Sequence, residues 1–295
     1  MKVAVIIVEF NDAEETIKYV NKISEYDNIQ RIVIVDNCST DLNTINILKK
    51  IENEKVVILQ SDKNGGYSYG NNFGIRYLEE VHEEYDYIII SNPDIDIEKQ
   101  AIDRCLEVLQ NNDKIGIVAP RMFNSKNQPI RRSSWKMRTF ALDIIHSTRF
   151  LEAIFYKKLR QGEYLEKDYA KDLLLVEAIS GAFFIIKYNV LKDIGMFDEN
   201  VFLFYEEDIL AKKMQEKGYQ TISVNDVKVT HYESQTIGKT LSYYKKMKQL
   251  YKSKMYYQKK YNHINFMQII IFKILNVFRK IELIFEIPIR KIMKK

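Results

Sequence analysis

The stretch YDYIIISNPDID, residues 85–96, joins a short apolar run to a polar turn that carries two carboxylates. The run has the length and the β-branched content of a buried strand, and a proline ends it. Asn-Pro-Asp is also ordinary turn chemistry, because proline fixes φ while Asn and Asp bond their own backbone. The question raised by Asp94 and Asp96 is therefore whether they only shape a turn or bind a ligand at the open end of a strand.

Apolar runs of this kind recur along the first 120 residues, and polar residues follow most of them. Five runs have the pattern of strands, namely VAVIIVEF (3–10), RIVIVD (31–36), KVVILQ (55–60), YDYIIIS (85–91) and IGIVAP (115–120). The stretches between them are long enough for crossover helices, which predicts an α/β fold with a mostly parallel sheet flanked by helices. Because ligands of such sheets bind at the carboxyl ends of the strands, the polar residues there should converge on one edge.

The second half of the chain has a less regular pattern. We interpret residues 121–172, which include the basic stretch RRSSWK, as a connection and partial lid. Residues 173–187 are typical of a strand pair or a bent strand, with a break at Ser-Gly (180–181). Two further helices should end at Gly195 and Gly218.

Length and composition limit the class of protein. With 295 residues, of which 46% are hydrophobic, the chain is long enough for one large α/β domain or for a domain with an appendage. Cys38 and Cys105 are far apart and lack metal-ligand spacing, which argues against a disulfide framework or a zinc site and fits a reducing compartment. Glu9, Asn11 and Asp12 interrupt the apolar N-terminus, so we expect a first strand there instead of a signal peptide, and a cytoplasmic protein.

Two polar loops follow strands of the first half. DNCSTD (36–41) places Asp36 at a strand tip, where it can accept hydrogen bonds from a ribose hydroxyl or a base N–H, although the same residues are typical helix caps. DKNGGYSYGNNFGI (62–75) combines four glycines with three asparagines and opens a helix at Asn71. Glycines admit a close ligand, and the N–H groups at a helix start favour a phosphate. The loop is neither the phosphate-cradling lysine loop nor the dinucleotide fingerprint.

The stretch FYEED (204–208) puts Glu206, Glu207 and Asp208 in succession at a helix start. Acids there suit the positive end of the helix dipole, which is a purely structural explanation. Because the aromatic neighbours must pack, we expect one acid to face a cleft, where it would act as a general base. His231, after VKVT, is either a ligand for a metal or diphosphate, or an ordinary core or surface histidine.

The combined motifs resemble glycosyltransferase family 2. VEFN, VDNCSTD, NGGYSYGNNFGI, SNPDI, ISGAFFII, GMFDENVFLFYEEDILAKKMQEKGY and the late His231 occur in the order and approximate spacing of that family, most similar to its bacterial rhamnosyltransferase-like branch. The resemblance covers about residues 1–260. It implies a GT-A fold and a catalytic domain over 1–238, with a nucleotide-binding half at about 1–120 and an acceptor half at 121–238. It also implies an inverting reaction, a nucleoside-diphosphate sugar, a divalent cation and an acceptor hydroxyl.

The resemblance also implies roles for individual residues. The positions that match its nucleotide-binding motifs are Phe10, Asn11, Asp36, Asn64, Gly65, Gly66, Asn71, Asn92 and Asp94. Asp36 matches the acid that holds the nucleoside, and Asn92 and Asp94 fill the place of the family's Asp-x-Asp motif. One carboxylate thus replaces two, so the implied Mg²⁺ or Mn²⁺ would rest on Asp94, with Asp96 and His231 as further ligands. Glu206 and Glu207 match the acidic pair that includes the catalytic base.

Glu207 occupies the usual aspartate position of that pair, and Asp208 follows one step later. We therefore predict Glu207 as the base that removes the acceptor proton, with Asp208 and Glu206 as the neighbouring candidates. If Glu207→Gln retained transfer while Asp208→Asn did not, the register would be wrong by one residue.

The basic character belongs to the C-terminal segment. Residues 239–295 contain 15 Lys and Arg and two acids, a net charge of +13, whereas the first 238 residues have a net charge of −8. One helical face there is apolar and consists of Phe266, Met267, Ile270, Ile271, Ile274, Val277, Phe278, Ile281, Ile284 and Phe285. No uncharged run reaches the roughly 20 residues that span a bilayer.

We expect this segment to form an amphipathic helical tail that lies in the plane of a membrane surface, after a basic, tyrosine-rich stretch. The alternatives are that its apolar face packs on the catalytic domain or forms a homodimer. Nucleic acid would also attract the charge, but no recognisable nucleic-acid fold accompanies it, so nucleic acid is not expected as a partner.

The expected function is transfer of a sugar, with rhamnose favoured, from a dTDP- or UDP-linked donor to a hydroxyl of a glycan or lipid-linked acceptor. The enzyme would be peripheral at the inner face of the cell membrane. One alternative keeps the fold with a UDP-hexose donor. Two others are a non-catalytic nucleotide-sugar-binding scaffold, against which Asp94 and the acids at 206–208 argue, and a membrane adaptor that depends on the tail alone.

Overall fold

The strands form where the chain has Val- and Ile-rich runs, because β-branched side chains pack well on a buried pleated surface. The computed structural model describes residues 1–41, 43–232 and 242–293. The strands are β1 (Val3–Glu9), β2 (Arg31–Asp36), β3 (Val56–Gln60), β4 (Tyr87–Ser91), β5 (Ile95–Ile97), β6 (Ile115–Phe123), β7 (Ser134–Trp135), β8 (Leu173–Val176), β9 (Ala178–Ile179), β10 (Phe183–Lys187) and β11 (Gln220–His231).

The helices cover the sheet and build the C-terminal part. They are α1 (Ala13–Ser24), α2 (Thr44–Leu48), α3 (Tyr67–Glu80), α4 (Lys99–Gln110), α5 (Phe140–Ile145), α6 (Arg149–Ile154), α7 (Tyr156–Leu159), α8 (Tyr188–Asp193), α9 (Glu206–Glu216), α10 (Tyr243–Lys260) and α11 (Phe266–Met293). Short 3-10 turns occupy Lys49–Ile51, Arg160–Gly162 and Glu166–Ala170.

The central sheet has the strand order β3-β2-β1-β4-β10-β6-β11-β5, and β8 also pairs with β11. Strands β1, β2, β3, β4, β6 and β11 run in one direction, whereas β5, β8 and β10 run in the other. The prediction of a mostly parallel α/β sheet is therefore confirmed. The short strands β7 and β9 form a separate antiparallel pair.

Side chains that alternate along β1 pack into two apolar layers, one on each face of the sheet. Val5 and Ile7 belong to the layer that contains side chains of α1 and α4. Ala4 and Ile6 belong to the layer that contains side chains of α3, α8 and α9. Burial on both faces explains why these strands are continuous apolar runs in the sequence.

The predicted elements are present, with shifted ends at some of them. β4 begins at Tyr87 instead of residue 85, and α3 begins at Tyr67, one turn before the predicted start at Asn71. The helices predicted to end at Gly195 and Gly218 do end there, because each glycine adopts the positive φ that terminates a helix, 72° and 76°.

The region predicted as a connection and partial lid, residues 121–172, contains β7 and the three short helices α5 to α7. Trp135 of β7 is the register partner of Ala178 in β9. This pairing brings the basic stretch of the connection against the bent strand region at 173–187, whose predicted break lies between β9 and β10.

Helix α10 differs from the expectation of a separate tail that begins at residue 239. Tyr257 and Gln258 are 1% and 0% exposed, and Tyr257 packs with Tyr205 and Ile209 around the start of α9. Ser253 Oγ also donates to the carbonyl of Leu203 at 2.7 Å. The tyrosine-rich stretch thus packs on the α/β unit.

Helix α11 packs through Phe272 and Leu283, which are 1% and 3% exposed. The face predicted to be apolar points outward, since Phe266, Ile284 and Phe285 are 72%, 68% and 68% exposed. In the described ranges, no helix is long and apolar enough to cross a membrane.

Candidate active site

The carboxyl ends of β1 and β2 bring two acids together, at the edge where a ligand was predicted. Glu9 and Asp36 are register partners, and they are 0% and 1% exposed. Burial, with a contribution from Asp36, raises the pKa of Glu9 to about 7, although the N–H of Asp12 and the hydroxyl of Ser39 donate to its carboxylate. Asp36 Oδ1 accepts the N–H of Ser39 at 2.9 Å.

Asn11 ties the loop after β1 to the loop after β2. Its backbone has a φ of 57°, and its N–H donates to Ser39 Oγ at 2.8 Å. Its Oδ1 accepts the N–H groups of Thr40 and Asp41 at 2.9 and 3.1 Å. Asn11 therefore shapes the edge near Asp36, and Phe10 beside it is half-buried.

The glycine-rich loop packs directly on the segment that precedes α9. Gly66 has a φ of 86°, and a Cβ at this position would lie 2.0 Å from the carbonyl oxygen of Phe202. The N–H of Tyr67 donates to the same oxygen at 3.2 Å. Asn64 Oδ1 holds the turn, because it accepts from the Gly66 N–H at 3.2 Å and from Asn37 Nδ2 at 3.3 Å. The loop thus connects the carboxyl edge of β2 to the segment before the helix that carries the three acids.

The first turn of α3 contains buried acceptors that lack partners. Asn71 Oδ1 and Ser68 Oγ are buried and bond no residue in the part of the chain that the structure describes. Asn71 Nδ2 donates to the Tyr67 carbonyl at 2.9 Å. Gly65 precedes this turn, and a Cβ there would lie 2.3 Å from the ring of Tyr69. An unpaired buried polar atom costs about 1–3 kcal/mol, so Asn71 Oδ1 is a candidate contact for a ligand.

The turn between β4 and β5 holds Asn92 and Asp94, the predicted metal and diphosphate residues. Asp94 is 4% exposed, and its Oδ2 lies 3.2 Å from Nε2 of His231 at the end of β11. Asp96 instead pairs with Lys22 of α1 at 2.5 Å. Within the described residues, no group of three or more His, Cys, Asp or Glu side chains is arranged to hold a metal ion.

The chain enters α9 through two strained residues. Phe204 and Tyr205 both have a φ of 70°, a left-handed conformation that is costly for bulky side chains. The hydroxyl of Tyr205 donates to Asp143 Oδ1 at 2.7 Å, and its ring lies 5.4 Å from that of Tyr257. Contacts with α5 and α10 therefore fix the position of the three acids.

Asp208 is held by the connection region. Its Oδ1 accepts from Trp135 Nε1 at 3.1 Å and from the N–H of Arg138 at 3.3 Å, while the guanidinium of Arg138 lies 3.8 Å from Oδ2. Burial raises the pKa of Asp208 to about 7, against the opposing effect of Arg138. A carboxylate with this pKa accepts a proton readily near neutral pH.

Glu207 lies against the break between β9 and β10. Its Oε1 accepts the N–H of Gly181 at 3.3 Å, and a Cβ at Gly181 would lie 3.2 Å from this atom and 2.9 Å from the hydroxyl of Tyr67. Burial raises the pKa of Glu207. Glu206 is more deeply buried, its pKa is raised well above the ordinary range by burial and by Glu207, and its Oε2 has no partner among the described residues.

Asp143 is the buried centre that supports this arrangement. It is 0% exposed and accepts from Tyr205, from Gln258 Nε2 at 2.7 Å and from Arg138 at 3.5 Å. Its carbonyl accepts from Lys254 Nζ at 3.2 Å. Helices α5, α9 and α10 thus meet at one carboxylate.

A cavity of about 510 Å³ lies in front of Glu207 and Asp208. The connection region and α10 supply most of its remaining wall, including Trp135, Arg138 and Lys254. The volume is in the range of small-ligand pockets. A sugar hydroxyl bound in this cavity would have two carboxylates beside it.

The residues that sequence reasoning missed fall into two groups. Glu9 had a signal, since it is an acid at the end of an apolar strand, in the same position as Asp36. Tyr67, Arg138 and Asp143 had none, because their contacts join segments that are far apart in the chain.

Comparison with known proteins identifies relatives of this chain. A family model described as "Glycosyl transferase family 2" matches residues 4–195. The low-salt glycan biosynthesis hexosyltransferase Agl10 of Haloferax volcanii is 29% identical over 205 residues, which cover 69% of this chain and 58% of Agl10. The N-acetylglucosaminyl-diphospho-decaprenol L-rhamnosyltransferase of Mycobacterium tuberculosis is 21% identical over 214 residues, 70% of this chain and 68% of the relative.

Solved structures share the fold at low sequence identity. The mannosyltransferase PcManGT from Pyrobaculum calidifontis, in complex with GDP-Man and Mn²⁺, has a TM-score of 0.52 and 18% identity, over 79% of this chain and 57% of that one. GalNAc-T7 with UDP, GalNAc and Mn²⁺ has a TM-score of 0.58 and 13% identity, over 79% and 44%. These likenesses confirm the predicted GT-A fold. With a family match over most of its length, the chain belongs to glycosyltransferase family 2.

Proposed function

We propose that this protein is an inverting glycosyltransferase that moves a sugar, with rhamnose favoured, from a nucleoside-diphosphate sugar to a hydroxyl of a lipid-linked or surface-glycan acceptor. The observation that carries the proposal is the position of Glu207. It faces the 510 Å³ cavity, and its helix begins just after the segment on which the glycine-rich loop packs. The name of the mycobacterial relative supports rhamnose and a diphospho-lipid acceptor.

The donor nucleotide would lie at the carboxyl edge of β1, β2 and β4. The residues proposed to contact it are Phe10, Asn11, Asp36, Asn64, Gly65, Gly66, Asn71, Asn92 and Asp94. Support comes from Asp36, which is buried at the tip of β2, and from the partnerless Oδ1 of Asn71. We propose dTDP or UDP as the nucleotide, and a UDP-hexose donor is the principal alternative.

A divalent cation, Mg²⁺ or Mn²⁺, would be held at Asp94, where a carboxylate oxygen and an imidazole nitrogen lie 3.2 Å apart. This donor set fits a cation that takes its other ligands from diphosphate oxygens and water. Asp96 would join only after release from Lys22. Such a cation supplies positive charge for the departing diphosphate.

In the proposed reaction, the acceptor oxygen bonds to the anomeric carbon while the bond from that carbon to the diphosphate oxygen breaks. Glu207 takes the hydroxyl proton, and the nucleoside diphosphate leaves with the bonding electrons. Burial raises its pKa, which makes its carboxylate a stronger proton acceptor. Asp208 is the alternative base in the same cavity, and Glu206 is a more buried neighbour whose own pKa is raised by burial and by Glu207.

The test is a panel of dTDP-, UDP- and GDP-linked sugars with Mn²⁺, in which release of nucleoside diphosphate is measured with and without acceptor glycans. We expect release from one donor class, and a faster release when the right acceptor is present. A protein that binds a donor without turning it over would be the non-catalytic scaffold instead.

We also propose that the exposed face of α11 lies on the anionic inner surface of the cell membrane. Phe150 and Ile154 of α6 extend this face, since they are 68% and 57% exposed. Glu282 of α11 joins the two helices, because it accepts the N–H groups of Arg149 and Phe150 at 2.9 and 3.0 Å. Apolar residues flanked by exposed lysines suit such a surface.

Cosedimentation with vesicles that contain phosphatidylglycerol tests this membrane proposal. Substitution of both Ile274 and Phe278 by Asp should abolish binding, whereas Val81→Asp, at an exposed apolar site on another surface, should not. If the protein does not bind the vesicles but forms a dimer, and the same double substitution disrupts that dimer, then the face binds a second copy of the chain.

A further inference from the structure

The cavity in front of Glu207 is rich in cationic side chains. They come from the connection region and from α10, and they are Arg132, Lys136, Arg138, Arg149 and Lys254. The acids in the same wall are Glu152, Glu163, Glu207 and Asp208. A count of charges does not decide whether the cavity attracts an anion, because several of these groups neutralise each other. The individual pairings decide it.

Some of the cations have acidic partners. Arg138 lies 3.5 Å from Asp143 and 3.8 Å from Asp208, and Arg149 Nη1 lies 2.8 Å from Glu152. These groups hold the wall in place, and their charges are largely balanced.

Three cations are not balanced in this way. The side chains of Arg132 and Lys136 make no hydrogen bond or ion pair with any residue in the described ranges. Lys254 is 5% exposed and donates only to neutral oxygens, the Asp143 carbonyl and Ser147 Oγ, each at 3.2 Å. A buried ammonium without a carboxylate partner is costly unless an anion binds beside it.

The cations also repel one another. Partial removal of water by the surrounding protein lowers the pKa of Arg132, and Arg138 lowers it further, against the opposing effect of Glu163. Burial lowers the pKa of Lys254 to about 8, against the opposing effect of Asp143 and with a further contribution from Arg138. Each group would gain from an anion placed among them.

This cationic wall is distinct from the proposed donor edge. It is built by residues 132–163, 180, 204–208 and 250–254, whereas the donor residues lie between 10 and 94. A second cavity of about 210 Å³ shares His146, Arg149 and Lys254 with the first, and it is lined further by Tyr251 and Phe272. The path from Glu207 past Lys254 therefore leads to aromatic rings under α11.

We propose that the cavity binds a phosphate or diphosphate group of a lipid-linked acceptor, with Arg132, Lys136 and Lys254 as the contacts. This inference rests on the proposed function, since it places the anion next to the hydroxyl that Glu207 would deprotonate. Arg132 presents a planar fork that suits phosphate oxygens, and Lys136 and Lys254 add point charges. The adjoining aromatic cavity would take the first apolar carbons of the lipid.

Calorimetric titration of the full chain in metal-free buffer tests the site, with inorganic pyrophosphate and farnesyl diphosphate as probes. We expect saturable binding of pyrophosphate and tighter binding of farnesyl diphosphate. Arg132→Gln should weaken both by about tenfold to a hundredfold, the usual loss for a charge-assisted hydrogen bond. Arg132→Lys should recover part of it. The matched control is Arg104→Gln, which removes the same charge from a surface site paired with Glu107 and Asp226.

Four results would overturn the inference. If Arg132→Gln and Arg104→Gln lower the affinity for pyrophosphate equally, the loss comes from the overall charge of the protein and not from a contact at the site. If UDP or dTDP displaces pyrophosphate, and Arg132→Gln lowers the affinity for the nucleotide as much as the affinity for pyrophosphate, then the cations bind the donor. Equal affinity for pyrophosphate and farnesyl diphosphate would show that the site does not bind the lipid part of the acceptor. Absence of pyrophosphate binding in a protein that still turns over a nucleotide sugar would reject the anion site alone.

The converse result separates the two proposals. A protein that binds pyrophosphate through Arg132 but turns over no nucleotide sugar would keep the anion site and reject the proposed function.

Discussion

The two sides of the candidate site are built from different material. On the proposed donor side, strand ends and a glycine-rich loop supply short polar groups, such as Asp36 and Asn64, over a continuous stretch of the first half of the chain. On the acceptor side, buried charged and aromatic side chains from α5, α9 and α10 meet around Asp143. The donor side thus depends on backbone geometry, and the acceptor side depends on contacts between distant segments.

The largest effect on the transfer rate should come from substitution of Glu207, where the two sides meet. Glu207→Gln removes the proposed base while it leaves the carboxamide able to accept from Gly181, so transfer should fall about 10²- to 10⁴-fold with little change in donor affinity. Steady-state kinetics with separate donor titration would measure this. Asp208→Asn is the matched variant, and a greater loss there would assign the base to Asp208.

A second prediction concerns the acceptor side alone. Asp143→Ala leaves the Tyr205 hydroxyl and Gln258 Nε2 without their buried acceptor and removes the nearer carboxylate of Arg138, which should lower the free energy of unfolding by about 3–5 kcal/mol. Urea denaturation would measure the loss. Asp226→Ala breaks an exposed pair with Arg104 and should cost about 1 kcal/mol or less. Equal losses would mean that Asp143 does not organise the acceptor side.

A third prediction concerns the pH response of the donor side. The pKa of Glu9 is raised from the ordinary 4.5 to about 7, so its ionisation opposes folding as the pH rises through this range, by up to about 3 kcal/mol. Glu9→Gln should therefore stabilise the protein at pH 8 and have little effect below pH 4.5. Denaturation at pH 5 and pH 8 would show the difference. A stabilisation that does not change with pH would contradict the burial argument.

The smallest effect tests the connection between the two sides. Gly66→Ala forces a Cβ against the Phe202 carbonyl at a φ of 86° and should cost about 1–3 kcal/mol. Gly218→Ala has a similar φ of 76° with nothing within 4 Å of its Cβ, so it measures the φ strain alone. If the two variants lose equal stability, the contact between the loop and the segment before α9 does not contribute.

The same contrast explains what the sequence allowed us to predict. Apolar runs and the residues after them predicted the sheet and the convergence of Asp36 with the other strand ends, because strands that alternate with crossover helices run parallel and end at the same edge. The role of Asp143 and the burial of Lys254 were not predictable. A buried acid in a short helix and a lysine in a basic stretch look like surface residues until the fold brings them together.

The C-terminal segment shows what helical periodicity in a sequence predicts and what it does not. The apolar face of α11 was predicted correctly as a set of residues, and it is exposed. The tyrosine-rich stretch before it was expected to be part of a separate tail, yet Tyr257 lies in the cluster that positions the acids. Amphipathic periodicity predicts which residues share a face, but not what that face contacts.

In the proposed reaction, the acceptor hydroxyl attacks the anomeric carbon from the face opposite the departing nucleoside diphosphate, and one carboxylate beside the hydroxyl takes its proton. The anomeric configuration of the product, measured by NMR in a reaction with a donor of known configuration, tests it most directly. The product should have the configuration opposite to that of the donor. Retention of the donor configuration would contradict it.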